Sequence, residues 1–247
     1  MVRFEKLIGA ATIPPTTSCF MLLTVKSTRA NLTTWSTIWL AAALVFFLCE
    51  AIAASVSPRY SYATNYISEL GVPGSSPLAV VMNLGFWLQG ILFLVGAVLA
   101  TRDSATGRRR LFIVLVAMTA LGDVLVATFP GNSAATGHYN AAFLHWVGSL
   151  LAILGGNAAI IAGSSVVAGL VKMRWYRAVS VSLAVLGFLS LLFLGHAVGQ
   201  LNPGLFERGA VYPMFLWQMF SAVLLIARRR ADTPPAKGTA KRHLRQR

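Results

Sequence analysis

The sequence predicts an all-α fold: a polytopic membrane bundle of six transmembrane helices with both termini cytoplasmic. Three observations carry this expectation. The 247-residue chain is 56% hydrophobic and only 11% charged, with a mean hydropathy of +0.68, whereas a soluble domain carries roughly 25% charged residues. Its apolar stretches are long enough to cross ~30 Å of hydrocarbon as helices of about 20 residues. Its basic residues are one-sided. In an alternating six-helix threading, 19 of 21 Lys and Arg fall on one face, and only Arg59 and Arg208 fall on the other. That excess marks the cytoplasmic face.

The elements follow in order. Residues 1–34 form a cytoplasmic or interfacial arm. Within it, the moderately apolar run Leu7–Val25 contains Pro14-Pro15, which argues against an uninterrupted spanning helix. The membrane domain then covers residues 35–227. Its spans are expected near Trp35–Val56, Leu78–Ala100, Leu111–Phe129, Asn140–Val167, Ala178–Val198 and Ala210–Ile226. Outward loops cover residues 57–77 and 199–209, the second holding Glu207 and Arg208. Arg228–Arg230 stop the last span, and residues 228–247 read as a basic, disordered cytoplasmic tail. Trp35, Trp39, Trp175 and Tyr212 near span ends fit either interfacial anchoring or simple packing.

Small residues predict how the spans pack. Gly148, Ala152 and Gly156 recur at every fourth position, and Gly155, Ala159 and Gly163 do so on an adjoining stripe. Close backbone approach drives helix association in lipid, so the fourth helix is expected at the centre. Gly195 and Gly199 form a GxxxG pair at the end of the fifth span.

The net charge of +14 would suggest nucleic acid in a soluble protein. Here basic loops lying against anionic lipid account for it, so membrane lipids are the expected partners and nucleic acid is not. Cys19 and Cys49 fall on separate segments, and no disulfide or redox role is expected.

Ionisable groups inside a bilayer cost at least ~2.5 kcal/mol each at its centre, which makes them the default functional candidates. Glu50, Asp123, His145 and Asn83 fall on the order of 7–11 Å below the outer boundary, on four different spans. His138 and His196 lie at the outer mouths of the fourth and fifth spans. The shared depth suggests a polar cavity opening outward. Asp123 and His145 are the catalytic candidates, because a buried carboxyl and imidazole suit general acid–base work. Glu50, Asn65, Glu69, Asn83, His138, His196, Glu207 and Arg208 are the ligand-binding candidates. Arg suits phosphate, and the loop polar groups suit sugar hydroxyls. The same groups can instead hold helices together, at ~0.6 kcal/mol per hydrogen bond on average. His138, His145, His196 and Asp123 are zinc-type ligands, yet no HxxxH or HExxH spacing supports a metal site, and none is assigned. No cofactor-binding fingerprint is present.

The strings YSYATNYISELGVPGSSP, FPGN, HYNAAFLHWVG and GLFERGAVYPMFLWQ together resemble a bacterial six-span membrane family catalogued as domain of unknown function 998. The resemblance covers roughly residues 35–228 and implies architecture rather than mechanism. It falls on Asn65, Ser68, Glu69, Gly71, Pro73, Pro130, His138, His145, Glu207, Arg208 and Pro213. NYISELG is also similar to a segment of a eukaryotic lipid-sensing and lipid-anchor-remodelling family, an analogy confined to one loop. The leading expectation is a plasma-membrane protein that binds a lipid or lipid-linked envelope ligand in an outer-leaflet cavity. The alternative is a membrane-embedded lipid hydrolase or transferase, with or without a metal, using Asp123, His145 and His196. Small-solute transport stands third.

Overall fold

The computed structural model describes residues 15–102, 107–129, 131, 139–196 and 201–231. Its helices are α1 (Pro15–Ser55), α2 (Ala79–Arg102), α3 (Arg109–Thr128), α4 (Tyr139–Val171), α5 (Tyr176–Leu194) and α6 (Pro203–Ala231). Each of the six contains a stretch long and apolar enough to cross a membrane, that of α1 beginning at Leu32. A 3-10 turn, Ile67–Gly71, sits in the loop between α1 and α2. Among the described residues there is no strand, and the all-α, six-span expectation stands.

Helix ends differ from the expected spans for local reasons. The described part of α1 extends from Pro15, well ahead of the span expected to begin at Trp35. α4 ends where Lys172 takes a left-handed φ of 56° and its N–H returns to Ala168 O at 2.8 Å. Glycine normally fills that position, and a side chain there costs ~1–2 kcal/mol. α6 begins seven residues before the expected span. Glu207 and Arg208 therefore stand on its early turns and not in a loop. Their charges argued against helix at membrane depth, but the loop below supplies both with partners. Pro213, buried inside α6, cannot donate to Gly209 O. The adjacent carbonyl, Ala210 O, accepts Nδ2 of Asn157 on α4 at 2.8 Å. That bond ties α4 to α6 one residue from the carbonyl that Pro213 frees.

Consecutive helices pack side by side, α1 closes the bundle against α6, and α4 also packs against α6. Among the described elements, α5 touches α4 and α6 alone. The fourth helix holds the position its small residues predict. Gly148 faces Gly122 and Val126 of α3, Gly155 faces Thr119 and Leu115, and Gly156 faces Met214 of α6. The GxxxG expectation fares otherwise. Gly195 caps α5 and meets only carbonyls of its own helix, and Gly199 lies outside the described residues.

An aromatic cluster fills the bundle near the basic end. Trp35, Trp39, Phe93, Phe112 and Trp217 are fully buried. Trp39 lies 4.8 Å from Trp35 and 5.3 Å from Trp217 between ring centroids, and its Nε1 donates to Phe93 O at 3.2 Å. Trp35 and Trp39 are thus packing residues, while Trp175 is 49% exposed at its turn.

Candidate functional site

At the opposite end, the loop after α1 folds down into the helix mouth. Ile67 and Leu70 of its 3-10 turn are buried at 1% exposure each, and the turn contacts α1, α2, α3 and α6. Gly74 turns the chain at φ +85°, a conformation glycine adopts without strain. What pins the loop is Arg208. Its Nε and Nη2 donate to Glu50 Oε1 at 3.1 and 2.9 Å. Its Nη1 donates to the carbonyls of Tyr62, Asn65 and Gly204 at 2.7, 3.0 and 3.0 Å. Its Nη2 also donates to Tyr60 Oη. Tyr212 Oη donates to Glu50 Oε2 at 2.8 Å. The guanidinium carbon sits 4.6 Å from the Tyr62 ring centroid, within cation–π range. A guanidinium has five N–H donors, and this arrangement engages each nitrogen.

The acids of the loop are engaged in the same way. Glu69 accepts from Asn65 Nδ2 at 2.7 Å and from Tyr66 N at 3.0 Å. Asn65 Oδ1 accepts from Ser61 N at 3.0 Å. Glu207 reaches up from α6 to accept from Ile67 N. Asn83 Nδ2 donates to Gly71 O at 2.9 Å. Burial pushes the phenols of Tyr60, Tyr62 and Tyr66 above their ordinary value, most strongly at Tyr60. The sequence offered Glu207 and Arg208 as ligand-binding residues of an outward loop. Instead Arg208 pairs with Glu50 inside the bundle, and its donors are committed to protein.

Beside the clamp a groove of about 900 Å³ runs between the loop, α4 and α5. Ala142, Trp146, Leu150, Ile153, Leu191 and Leu194 form its apolar wall, and Ser68, Glu69, His145, Ser149 and Glu207 bring polar groups to it. Beneath lies a chamber of about 30 Å³, the size of a water site. Asp123 lines the chamber, and Ser68, Ser149, Ile153 and Glu207 belong to both cavities. Asp123 is 4% exposed, and its Oδ2 has no hydrogen-bond partner among the described residues. An unsatisfied buried polar atom costs about 1–3 kcal/mol, so Asp123 is costly without an occupant.

The sequence candidates thus divide. Glu69, His145 and Glu207 line the groove, and Asp123 and Glu207 line the chamber. Asn83 and Arg208 bind the loop to the helices, Glu50 holds Arg208, and the Asn65 side chain bonds within the loop. His196 is exposed at the end of α5, next to the groove residue Gly195. His138 lies outside the described residues. Asp123 and His145 share no hydrogen bond. His145 Nδ1 lies 2.8 Å from Phe129 O, which fixes the ring without Asp123. Among the described residues, no three His, Cys, Asp or Glu side chains gather as a metal site.

Three buried amides escaped the sequence reading: Gln89, Asn157 and Gln218. Both polar atoms of Gln89 and of Gln218 lack partners among the described residues. Asn157 ties α4 to α6. An amide within an apolar span was the available signal.

The family model described as protein of unknown function (DUF998) matches residues 40–224. The chain belongs to that family. The match spans all the helices that form the clamp and the groove, so this DUF998 chain is an integral, multi-pass membrane protein. Neither the curated proteins nor the solved structures yield a match to the chain.

Proposed function

We propose that this chain is a plasma-membrane protein, with both termini cytoplasmic, that binds a lipid or lipid-linked ligand in the groove beside the clamp. The observation that carries the reading is the groove's mixed lining. Aliphatic and aromatic side chains of α4 and α5 meet the polar groups of Ser68, Glu69, His145, Ser149 and Glu207 there. Ligand sites combine an apolar lining with a few placed polar groups, and an amphiphile matches that division. No Lys or Arg stands among the lining residues, and Arg208 is committed elsewhere. The head that fits is therefore hydroxyl-bearing or cationic rather than a bare phosphate.

A second reading rests on Asp123. Its Oδ2, without a partner among the described residues, borders a chamber large enough for one water, directly under the groove. A carboxyl and a water beside a bound head are components of acid–base hydrolysis or transfer. His145, at the groove wall, is the accompanying candidate.

Native mass spectrometry of the purified protein tests the first reading. Wild type should retain an amphiphile out of proportion to its share of the bulk lipid. Ala142→Trp should empty the groove, and Asp123→Leu should stay inserted but retain less. Retention that matches bulk lipid, or that survives Ala142→Trp, overturns the binding reading. For the second reading, incubation with the retained lipid should yield a product with wild type and none with Asp123→Leu.

A further inference from the structure

The basic end of the bundle holds a second cavity, independent of the groove. It measures about 600 Å³ and lies between the C-terminal ends of α4 and α6 and the middle of α1, at Leu32 and Thr33. Lys172, Arg228, Arg229 and Arg230 line it, and no Asp or Glu does so among the described residues. Leu32 and Leu225 supply part of its apolar floor. We propose that this cavity binds the phosphate head of an anionic glycerophospholipid, from the leaflet on the basic face.

Three observations support a built site rather than scattered surface charge. First, the end of a helix repels anions through its free carbonyls, and this cavity lies at the ends of α4 and α6. Arg228 offsets that at α4, where its Nη1 donates to Leu170 O at 2.7 Å and to Val171 O at 2.8 Å. Second, Lys172 holds a left-handed backbone that glycine would adopt more easily. Strain of this kind is kept where the side chain has work to do. Third, the cavity joins cations to aliphatic side chains at a membrane-interface level, which half-exposed Trp175 marks three residues beyond Lys172. A soluble anion needs only the charges, whereas a lipid uses both parts. Basic pockets between spanning helices are the expected form of such a site.

The experiment adds phosphatidylglycerol to the full chain in phosphatidylcholine nanodiscs and measures thermal shift and lipid retention. Each cation near the surface favours anionic lipid about fivefold, so three contribute roughly 100-fold. Lys172→Gln/Arg229→Gln/Arg230→Gln should lose phosphatidylglycerol preference by about that factor. Lys172→Gly is the second variant and guards against misfolding. It should melt no lower than wild type in neutral lipid yet prefer phosphatidylglycerol about fivefold less. Arg108→Gln/Arg109→Gln/Arg110→Gln removes equal charge outside the cavity and should leave retention near wild type. Equal loss in that control reduces the effect to general surface potential and overturns the proposal. Equal protection by inorganic phosphate alone overturns it as well, because the occupant is then a soluble anion. None of these residues lines the groove, so failure here leaves the groove reading standing.

Discussion

Replacing Glu50 by leucine isolates the energetics of the clamp. In Glu50→Leu, Arg208 Nε and Nη2 lose their carboxylate, and Tyr212 Oη loses its acceptor. The side chains of Arg208 and Glu50 are 6% and 2% exposed, so water does not readily replace the lost partner. Removing one member of a buried pair costs about 3–5 kcal/mol, because the survivor stays buried and charged. Taking ~4 kcal/mol, and about 2–4 °C per kcal/mol for a chain of this size, the melting temperature should fall by roughly 8–16 °C. The assay is thermal unfolding in detergent, with hydrogen exchange read at residues 57–78. Glu50→Leu/Arg208→Leu should recover part of the loss, since an apolar pair tolerates burial. It should still exchange faster in the loop, because the Tyr62 and Asn65 carbonyls have lost their donor. A loss below ~1 kcal/mol in Glu50→Leu would mean that the pair behaves as a solvated surface bridge, and the account of the clamp would fail.

Three further outcomes are expected. Tyr60 has a phenol pKa raised above the ordinary 10.0. Its contribution to stability is therefore fully present below pH 10 and is lost as pH climbs through the higher folded value. Ultraviolet titration should show no tyrosinate band near pH 10 that Tyr60→Phe removes; such a band would contradict the burial. Gly122→Ala should destabilise by ~1–3 kcal/mol by overpacking, since the added methyl would meet the backbone of Gly148 and Ala152. Gly169→Ala, with nothing within 4 Å of the added carbon, should be neutral or stabilising, and equal melting temperatures for the two would refute the close approach of α3 to α4. In intact cells, Ser75→Cys should react with an impermeant thiol reagent and Asp103→Cys should not. The reverse pattern would invert the assigned topology.

Fold class was legible because two strong signals agreed: apolar length for the spans, and one-sided lysine and arginine for their alternation. The central place of α4 was legible too, since Gly148 and Gly155 can be contacted closely only through backbone. The site was legible in part. Glu50, Asn83, Asp123 and His145 stood out as polar groups at membrane depth, but sequence could not divide them between clamp and cavity. That division depends on which pairs meet across 158 positions, as Arg208 and Glu50 do. Glu207 and Arg208 were placed in a loop because charge normally excludes a residue from a span. The partners that reverse this lie in another segment. The buried amides were overlooked because uncharged polar residues perturb an apolar run only slightly.

The peripheral position of α5 has a consequence for traffic. Among the described elements this helix leans on two neighbours, and it lines the groove through Leu191 and Leu194. The mouth above is stoppered by the clamped loop, whereas Trp146 beside that wall is 59% exposed on the flank of the bundle. On the proposed binding reading, an amphiphile already dissolved in the bilayer would meet this seam sideways, tail first, without leaving the hydrocarbon or displacing the plug.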